Sequence, residues 1–179
     1  MIIPTIIDIE ASGFGKGSYP IEVGFITADK QLRCSLIKPE ATWVSWCQEA
    51  EKIHGINRNI LLSKGKPIRD IALWLNSCLE GQTVYSDAWL NDMCWLGRLF
   101  EEAEINQRFR LESLLSLLDE ADRESWAAVY QSVLSETKLI RHRASTDAKL
   151  IQETYLKIKK KTSVLQNNLV QQSNTQKKL

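Results

Sequence analysis

The sequence predicts a single α/β domain built around a sheet of mixed direction. Strand-like runs come first, at residues 2–9, 21–27 and 31–37, and later strands alternate with segments of helical periodicity. The connection at residues 28–30 is short, so the first three strands should form an antiparallel meander. Helices that alternate with the later strands are expected on the faces of the sheet.

The later elements are predicted from apolar periodicity and from residues that begin or end helices. Apolar residues recur at helical spacing after Pro67, and Gly81 ends this helix. Short strands are predicted at residues 83–86 and 109–111, which makes five strands in all. Further helices are predicted at residues 46–54, 58–62, 92–103, 112–119, 124–137 and 145–161.

The charge of the chain is distributed unevenly. The 179 residues carry a net charge of +1, but residues 157–179 hold six lysines and no acidic residue, which leaves −5 on the rest. An acidic body with a basic tail fits a metal-using domain that meets a polyanion, and it equally fits a solvated tail without a role. We therefore expect a domain at residues 1–161 and a flexible Lys/Gln/Asn-rich tail at residues 162–179.

The cysteines and the hydropathy indicate the cellular environment in which the protein is expected to work. Four scattered cysteines without close pairing suggest reduced, mostly buried thiols in a cytoplasmic protein. No run approaches the roughly 18 apolar residues of a membrane span, so no membrane partner is expected.

Two carboxylates stand out in the first strand. Residues two apart in a strand share a face, so Asp8 and Glu10 point one way while Ile7 and Ile9 point the other. Like charges held side by side on a buried strand repel each other and lose hydration. A divalent metal with oxygen ligands would offset this repulsion, whereas a strand end at the surface would need no metal. Taken alone, the pair leaves both possibilities open.

Further acidic residues and a histidine occur far away in the sequence. Asp147 lies in the first turn of the last predicted helix, and His142 lies in the loop before it. Asp87 follows the fourth strand, and Asp92 begins the next helix. Four of these five carboxylates and one histidine can therefore converge at one edge of the sheet.

These residues carry a resemblance to a known family. DIEASG at residues 8–13, SDAWLNDMCWL at residues 86–96 and HRASTD at residues 142–147 resemble, in this order, the three motifs of the DEDDh exonucleases. IHGI at residues 53–56 resembles a short segment of the proofreading group of that family. The resemblance extends to about residue 158. It implies a ribonuclease-H-like fold and the removal of nucleotides from 3′ ends with two Mg²⁺ or Mn²⁺ ions.

The resemblance also implies roles for individual residues. The metal ligands are expected to be Asp8, Glu10, Asp92 and Asp147, and His142 is expected to act as the general base. The second motif is one residue longer than in the better-known proofreading subunits, which leaves a contribution from Asp87 open.

Four other residues are candidates for substrate contact. Ala11 and Ser12 follow the first motif, and Ala11 stands where the family more often has threonine. Phe14 either stacks on the terminal base or covers the core, and His54 either lies beside the site or ends a helix. Glu22 is equally an acid near Asp8 or a surface acid.

The sequence thus favours a 3′–5′ exonuclease that releases nucleoside 5′-monophosphates, with single-stranded DNA as the first candidate substrate. An exoribonuclease or oligoribonuclease is the alternative within the class, and a catalytically silent nucleic-acid-binding domain is the alternative outside it. DNA or RNA 3′ ends are the expected partners. The sequence leaves a homodimer open and says nothing of a polymerase partner.

Overall fold

The computed structural model describes residues 2–139 and 141–176, and the side chains of residues 163–176 are not described. A five-stranded sheet has the order β3-β2-β1-β4-β5. The strands are β1 (Thr5–Ala11), β2 (Pro20–Ile26), β3 (Leu32–Leu36), β4 (Thr83–Ser86) and β5 (Arg110–Ser113).

The sheet is mixed, as predicted. The strands β1, β2 and β3 form the expected antiparallel meander, and β4 pairs in parallel with both β1 and β5. The carboxyl ends of β1 and β4 therefore lie side by side. The α/β fold class with a mixed five-stranded sheet is confirmed.

Six α-helices accompany the sheet in the described residues. They are α1 (Gln48–His54), α2 (Arg58–Lys64), α3 (Ile68–Leu79), α4 (Trp89–Glu102), α5 (Glu120–Thr137) and α6 (Ala144–Gln176). None of the helices in the described part of the chain combines the length and the apolar character needed to span a bilayer.

The side chains of β1 alternate between the two faces of the sheet, and helices cover both faces. Ile7 and Ile9 face the larger apolar cluster, which includes buried residues of α3 and α4. Ile6 faces a second cluster with Ala148 and Ile151 of α6. Asp8 and Glu10 share the face of Ile6, so both carboxylates lie on the side of α6.

Several predicted elements differ from the structure. The helix expected at residues 112–119 is wrong, because β5 continues to Ser113 and a single 3₁₀ turn, Leu114–Leu117, follows. Helix α5 begins four residues earlier than predicted, where Asp119 and Asp122 bond reciprocally to each other's backbone amides. Helix α4 begins at Trp89, which places Asp92 inside its first turn.

The predictions about the cysteines and about the end of the last helix also differ from the structure. The thiols are not buried: Cys34 and Cys94 are exposed, and Cys47 and Cys78 are half-buried. The helix predicted to end at residue 161 continues to Gln176. The division into a domain and a tail at residue 161 stays a prediction, and residues 177–179 of that tail lie outside the described residues.

Gly24 sets how closely α6 approaches the sheet. A Cβ atom at this position would lie 2.6 Å from the Cα atom of Ser145, and closer still to the Ser145 nitrogen and the carbonyl carbon of Ala144. All three are backbone atoms of the first turn of α6, so they cannot move without moving the helix. A residue without a side chain at Gly24 therefore allows α6 to begin directly above β2.

We predict that Gly24→Ala lowers the free energy of unfolding by about 1–3 kcal/mol, because the added methyl overpacks a backbone contact. Gly97→Ala is the matched control, since Gly97 lies in α4 and a Cβ atom added there would meet nothing within 4 Å. That change should be neutral or stabilising by about 0.5–1 kcal/mol. Urea denaturation measures both. Equal effects of the two substitutions would show that α6 does not depend on this close approach.

Candidate active site

Three carboxylates meet beneath the start of α6. Asp8, Glu10 and Asp147 each offer an oxygen atom, and these atoms lie within 4.8 Å of one another. Asp8 and Glu10 come from the helix-facing side of β1, and Asp147 comes from the first turn of α6. The pair predicted from strand alternation is thus completed by a residue more than 130 positions away.

Asp92 lies next to this group but is not one of its three members. It is 1% exposed, and its Oδ2 accepts a hydrogen bond from the hydroxyl of Ser86 at the end of β4. Its Oδ1 is buried and has no hydrogen-bond partner among the described residues. Ser86 begins the second motif, but no role of its own was assigned to it from the sequence.

Asp87 lies at the same edge in a more open position. The residue is exposed, although surrounding protein atoms raise the pKa of its carboxyl group. Burial raises the pKa of Asp8, and the negative charges of Asp92 and Asp87 raise it further, so both residues act on the site electrostatically.

His142 and Asp147 are joined through the backbone. The N–H of His142 donates to Oδ2 of Asp147 at 2.8 Å, while Oδ1 of Asp147 has no partner among the described residues. The φ angle of His142 is +67°, in the left-handed region that non-glycine residues rarely adopt. His142 thus occupies an unusual backbone conformation directly beside a candidate metal ligand.

Glu22 is not a surface acid. It is 1% exposed, pairs with Glu10 in the β1–β2 register, and is held by Arg143 at 2.6 Å. The structure therefore supports the first of the two alternatives, an acid close to the site. No pattern in the sequence pointed to its partner, Arg143.

Burial and mutual repulsion raise the pKa values of the acids at this site. Burial raises the pKa of Glu10 to about 7, with further upward effects from Asp147 and Glu22, although Arg143 and Arg141 act downward. Burial raises the pKa of Asp92 to about 8 despite the hydrogen bond from Ser86. The pKa values of Asp8 and Asp147 are raised as well, chiefly by burial.

These observations fit a divalent cation. The donor set consists of carboxylate oxygens, the ligands that Mg²⁺ and Mn²⁺ prefer. The Oδ1 atoms of Asp92 and Asp147 are buried acceptors without a donor among the described residues, and a positive ion would satisfy them. Asp8, Glu10 and Asp147 are able to ligate an ion together, with Asp92 close by.

The predicted substrate-contact residues in and after β1 differ in their exposure. Ala11 and Ser12 are buried, and the Ser12 hydroxyl accepts the N–H of Tyr19 at 3.1 Å, so it braces the loop. Phe14 is 71% exposed and does not cover the core. It lines a surface cavity of about 400 Å³ together with Lys16, Asn91, Cys94, Trp95, Arg98 and other loop residues.

His54 is buried at the end of α1. Its Nδ1 accepts the N–H of Ile56 at 3.0 Å, so the proton of the neutral ring is on Nε2. That Nε2 is buried without a partner among the described residues, and burial lowers the pKa of the ring. His54 ends a helix, as one alternative held, and is also close enough to Glu22 and Arg143 for their charges to affect it.

The same fold occurs in E. coli exonuclease I. A zinc-bound complex of that protein with single-stranded DNA superposes with a TM-score of 0.68 and 14% identity, covering 94% of this chain and 43% of the other. A complex with a dT13 oligonucleotide gives 0.66 and 14%, covering 93% and 43%. A complex with dA16 gives 0.61 and 14%, covering 84% and 39%.

These similarities establish the fold, and the chain spans about two fifths of the length of exonuclease I. No protein-family model and no curated protein matches the sequence. The expected α/β fold, a mixed five-stranded sheet with helices on both faces, is therefore confirmed at the level of structure.

We predict that the metal-free protein loses stability as the pH rises from 4.5, the ordinary pKa of glutamate, to about 7. In this window the folded protein keeps a proton on Glu10 that the unfolded chain has released, so the free energy of unfolding falls. Glu10→Gln removes this contribution, and its stability should decline less. Urea denaturation in EDTA, below and above the window, measures the difference.

Glu124→Gln is the control for this prediction, because Glu124 is exposed on α5. It should follow the pH dependence of the unmodified protein. If Glu10→Gln does the same, Glu10 is not held protonated by its surroundings.

Proposed function

We propose that this protein is a metal-dependent 3′–5′ exonuclease that releases nucleoside 5′-monophosphates from the 3′ ends of nucleic acids. The observation that carries the proposal is the meeting of Asp8, Glu10 and Asp147 within 4.8 Å, beside the buried Asp92. The fold shared with exonuclease I supports it, since that protein has been captured with DNA oligonucleotides.

Asp8, Glu10, Asp92 and Asp147 would hold two Mg²⁺ or Mn²⁺ ions. Ions bound there would supply Lewis-acid stabilisation of the scissile phosphate and of the leaving oxygen. The four side chains themselves fix the place of attack, because they come from rigid elements, β1, α4 and α6. Asp92 and Asp147 are buried while Asp8 and Glu10 are half-buried, so bulk water is partly excluded, which strengthens the electrostatic interactions of these groups.

His142 is proposed as the general base. Histidine exchanges protons near neutral pH, and an imidazole nitrogen of His142 would take the proton of the attacking water. The hydrogen bond from its backbone to Asp147 keeps the residue next to the acids. The same bond makes the position of the base dependent on the position of α6.

Recognition of the substrate end is assigned to the loop after β1. Phe14 is exposed beside the cavity that it shares with Lys16 and Arg98, where an aromatic ring and two cations suit a base and its phosphates. Ala11, Ser12 and the Nε2–H of His54 are further proposed contacts, although the backbone N–H of Ser12 already donates to Tyr19 and its carbonyl oxygen accepts the N–H of Cys47. Such contacts read little sequence, so binding should depend on an available 3′ end.

Single-stranded DNA is the proposed substrate because the oligonucleotides bound to exonuclease I are DNA. An exoribonuclease would differ by a contact to the 2′-hydroxyl group. A silent binding domain would have no need for four acids whose burial raises their pKa values. A cytoplasmic location stays a prediction.

Hydrolysis of end-labelled oligonucleotides tests the proposal. The unmodified protein should release mononucleotides from the 3′ end in Mg²⁺, and parallel DNA and RNA strands of one sequence decide the substrate class. Asp8→Asn should lose both Mn²⁺ affinity and hydrolysis. His142→Ala should keep Mn²⁺ affinity and slow single turnover by about 10²–10⁴-fold.

Asp29→Asn is the control, since Asp29 is an exposed acid in the β2–β3 turn. Absence of metal-dependent release by the unmodified protein would refute the function. Loss of Mn²⁺ affinity in His142→Ala with an unchanged rate at saturating metal would make His142 a ligand instead of a base.

The second motif is tested by comparing Asp92→Asn with Asp87→Asn. Asparagine keeps the shape of aspartate but removes the charge that a hard cation prefers. Asp92 is buried and its Oδ1 has no partner in the described part of the chain, while Asp87 is exposed. Asp92→Asn should therefore be nearly inactive, and Asp87→Asn should keep most of its activity. Single-turnover rates over a Mn²⁺ titration measure both. The opposite ranking would move the site to the end of β4.

A further inference from the structure

An ion pair between a buried carboxylate and an exposed guanidinium joins the start of α6 to the sheet. The guanidinium of Arg143 donates from Nε to Oε2 of Glu22 at 3.0 Å and from Nη2 to Oε1 at 2.6 Å. Glu22 is 1% exposed at its side chain, whereas Arg143 is 47% exposed. Two parallel hydrogen bonds fix the plane of the guanidinium as well as its distance.

The same carboxylate holds the backbone of the helix. Oε2 of Glu22 also accepts the N–H of Ala144, the first residue of α6, at 2.9 Å. One buried side chain on β2 therefore binds both the side chain of Arg143 and the first free amide of the helix. Gly24, two residues further along β2, leaves the space in which this turn lies.

Backbone hydrogen bonds connect Arg143 to the candidate catalytic residues Asp147 and His142. Its carbonyl oxygen accepts the N–H of Asp147 at 3.0 Å, which closes the first turn of α6. The carboxylate of Asp147 in turn accepts the N–H of His142. A left-handed conformation such as that of His142 persists only where the surrounding contacts determine it.

The other polar contacts of α6 lie further along the helix. Gln152 donates to the carbonyl oxygens of Pro4 and Thr27, and Lys159 pairs with the buried Asp122 of α5. These contacts hold the body of α6. In the described part of the chain, the ion pair with Glu22 is the polar side-chain contact that joins the sheet to the loop carrying His142.

We propose that Glu22 and Arg143 are positioning residues for the proposed hydrolysis, holding the His142 backbone and the Asp147 carboxylate in the arrangement that hydrolysis requires. This inference rests on the proposed function. Neither residue is assigned a contact with substrate, so the pair acts on the rate of the chemical step. A displacement of about 1 Å at a reacting group costs about 10²-fold in rate.

The kinetic test compares Glu22→Gln, Arg143→Met, Arg143→Lys and the double variant Glu22→Gln/Arg143→Met. Each should lower the single-turnover rate by about 10²-fold with little change in oligonucleotide or Mn²⁺ affinity. The double variant should be no slower than either single variant, because one contact is lost in each case. Arg143→Lys should remain slow, since lysine keeps the charge without the two-point geometry.

Two control variants separate positioning from general effects. Arg141→Met removes the same charge from the same loop, where Arg141 lies 5.5 Å from the ring centre of Tyr130. Asp122→Asn breaks the ion pair between Lys159 of α6 and the buried Asp122. Asp122→Asn should keep a rate within about threefold of the unmodified protein, even if it lowers the melting temperature as much as Glu22→Gln. Arg141→Met removes a charge near the acids without breaking a bond to Glu22, so it should lose less of the rate than Arg143→Met. A normal rate in Arg143→Lys, or equal losses in Arg141→Met and Arg143→Met, would show that charge alone matters.

Hydrogen exchange of the metal-free protein gives a readout that needs no activity. Glu22→Gln and Arg143→Met should speed exchange of the amides of residues 142–147 and leave residues 150–158 unchanged, while Asp122→Asn should not affect residues 142–147. Unchanged exchange at residues 142–147 would overturn the inference. So would a raised KM with unchanged kcat and a weaker salt dependence, which would make Arg143 a phosphate contact. If the unmodified protein hydrolyses nothing, the proposed function fails while the exchange result still decides the inference.

Discussion

The concentration of negative charge under the first turn of α6 is the constraint on which this structure depends. Three carboxylate oxygens lie within 4.8 Å, and a fourth acid, Asp92, is buried beside them. Burial and the charges of Asp147 and Glu22 raise the pKa of Glu10 to about 7, although Arg143 and Arg141 lower it. The folded chain holds these groups either by keeping protons on them or by binding cations.

The mixed direction of the sheet makes that concentration possible. Because β1 pairs in parallel with β4, the acids near the end of β1 lie beside the segment that follows β4 and carries Asp87 and Asp92. Because β1 also pairs in antiparallel fashion with β2, Glu22 and Gly24 lie next to Glu10 and Asp8. Glu22 holds the helix and Gly24 makes room for it, and together they bring Asp147 onto the pair on β1.

The sequence predicted those parts of the site that depend on local geometry. Strand alternation placed Asp8 and Glu10 on one face, and the three motifs in order predicted the architecture. Two kinds of feature were missed. The prediction of a helix at residues 112–119 is wrong because an apolar run after a polar pair is compatible with a 3₁₀ turn at the end of a strand as well as with a helix. The pairing of Glu22 with Arg143 joins residues 121 positions apart, and no local pattern contains it.

The electrostatics also bear on whether the domain is catalytic or only binds nucleic acid. Neutral residues in place of Glu10 or Asp92 would remove repulsion and would spare the metal-free fold the burial of a charge. In a domain that only binds a polyanion through its surface, such replacements would raise both the stability and the affinity for phosphates, because the acids repel phosphates as well as one another. Four acids at this position are costly for a binding module and useful where cations bridge protein and phosphate. The physical cost of the cluster therefore argues for hydrolysis over passive binding.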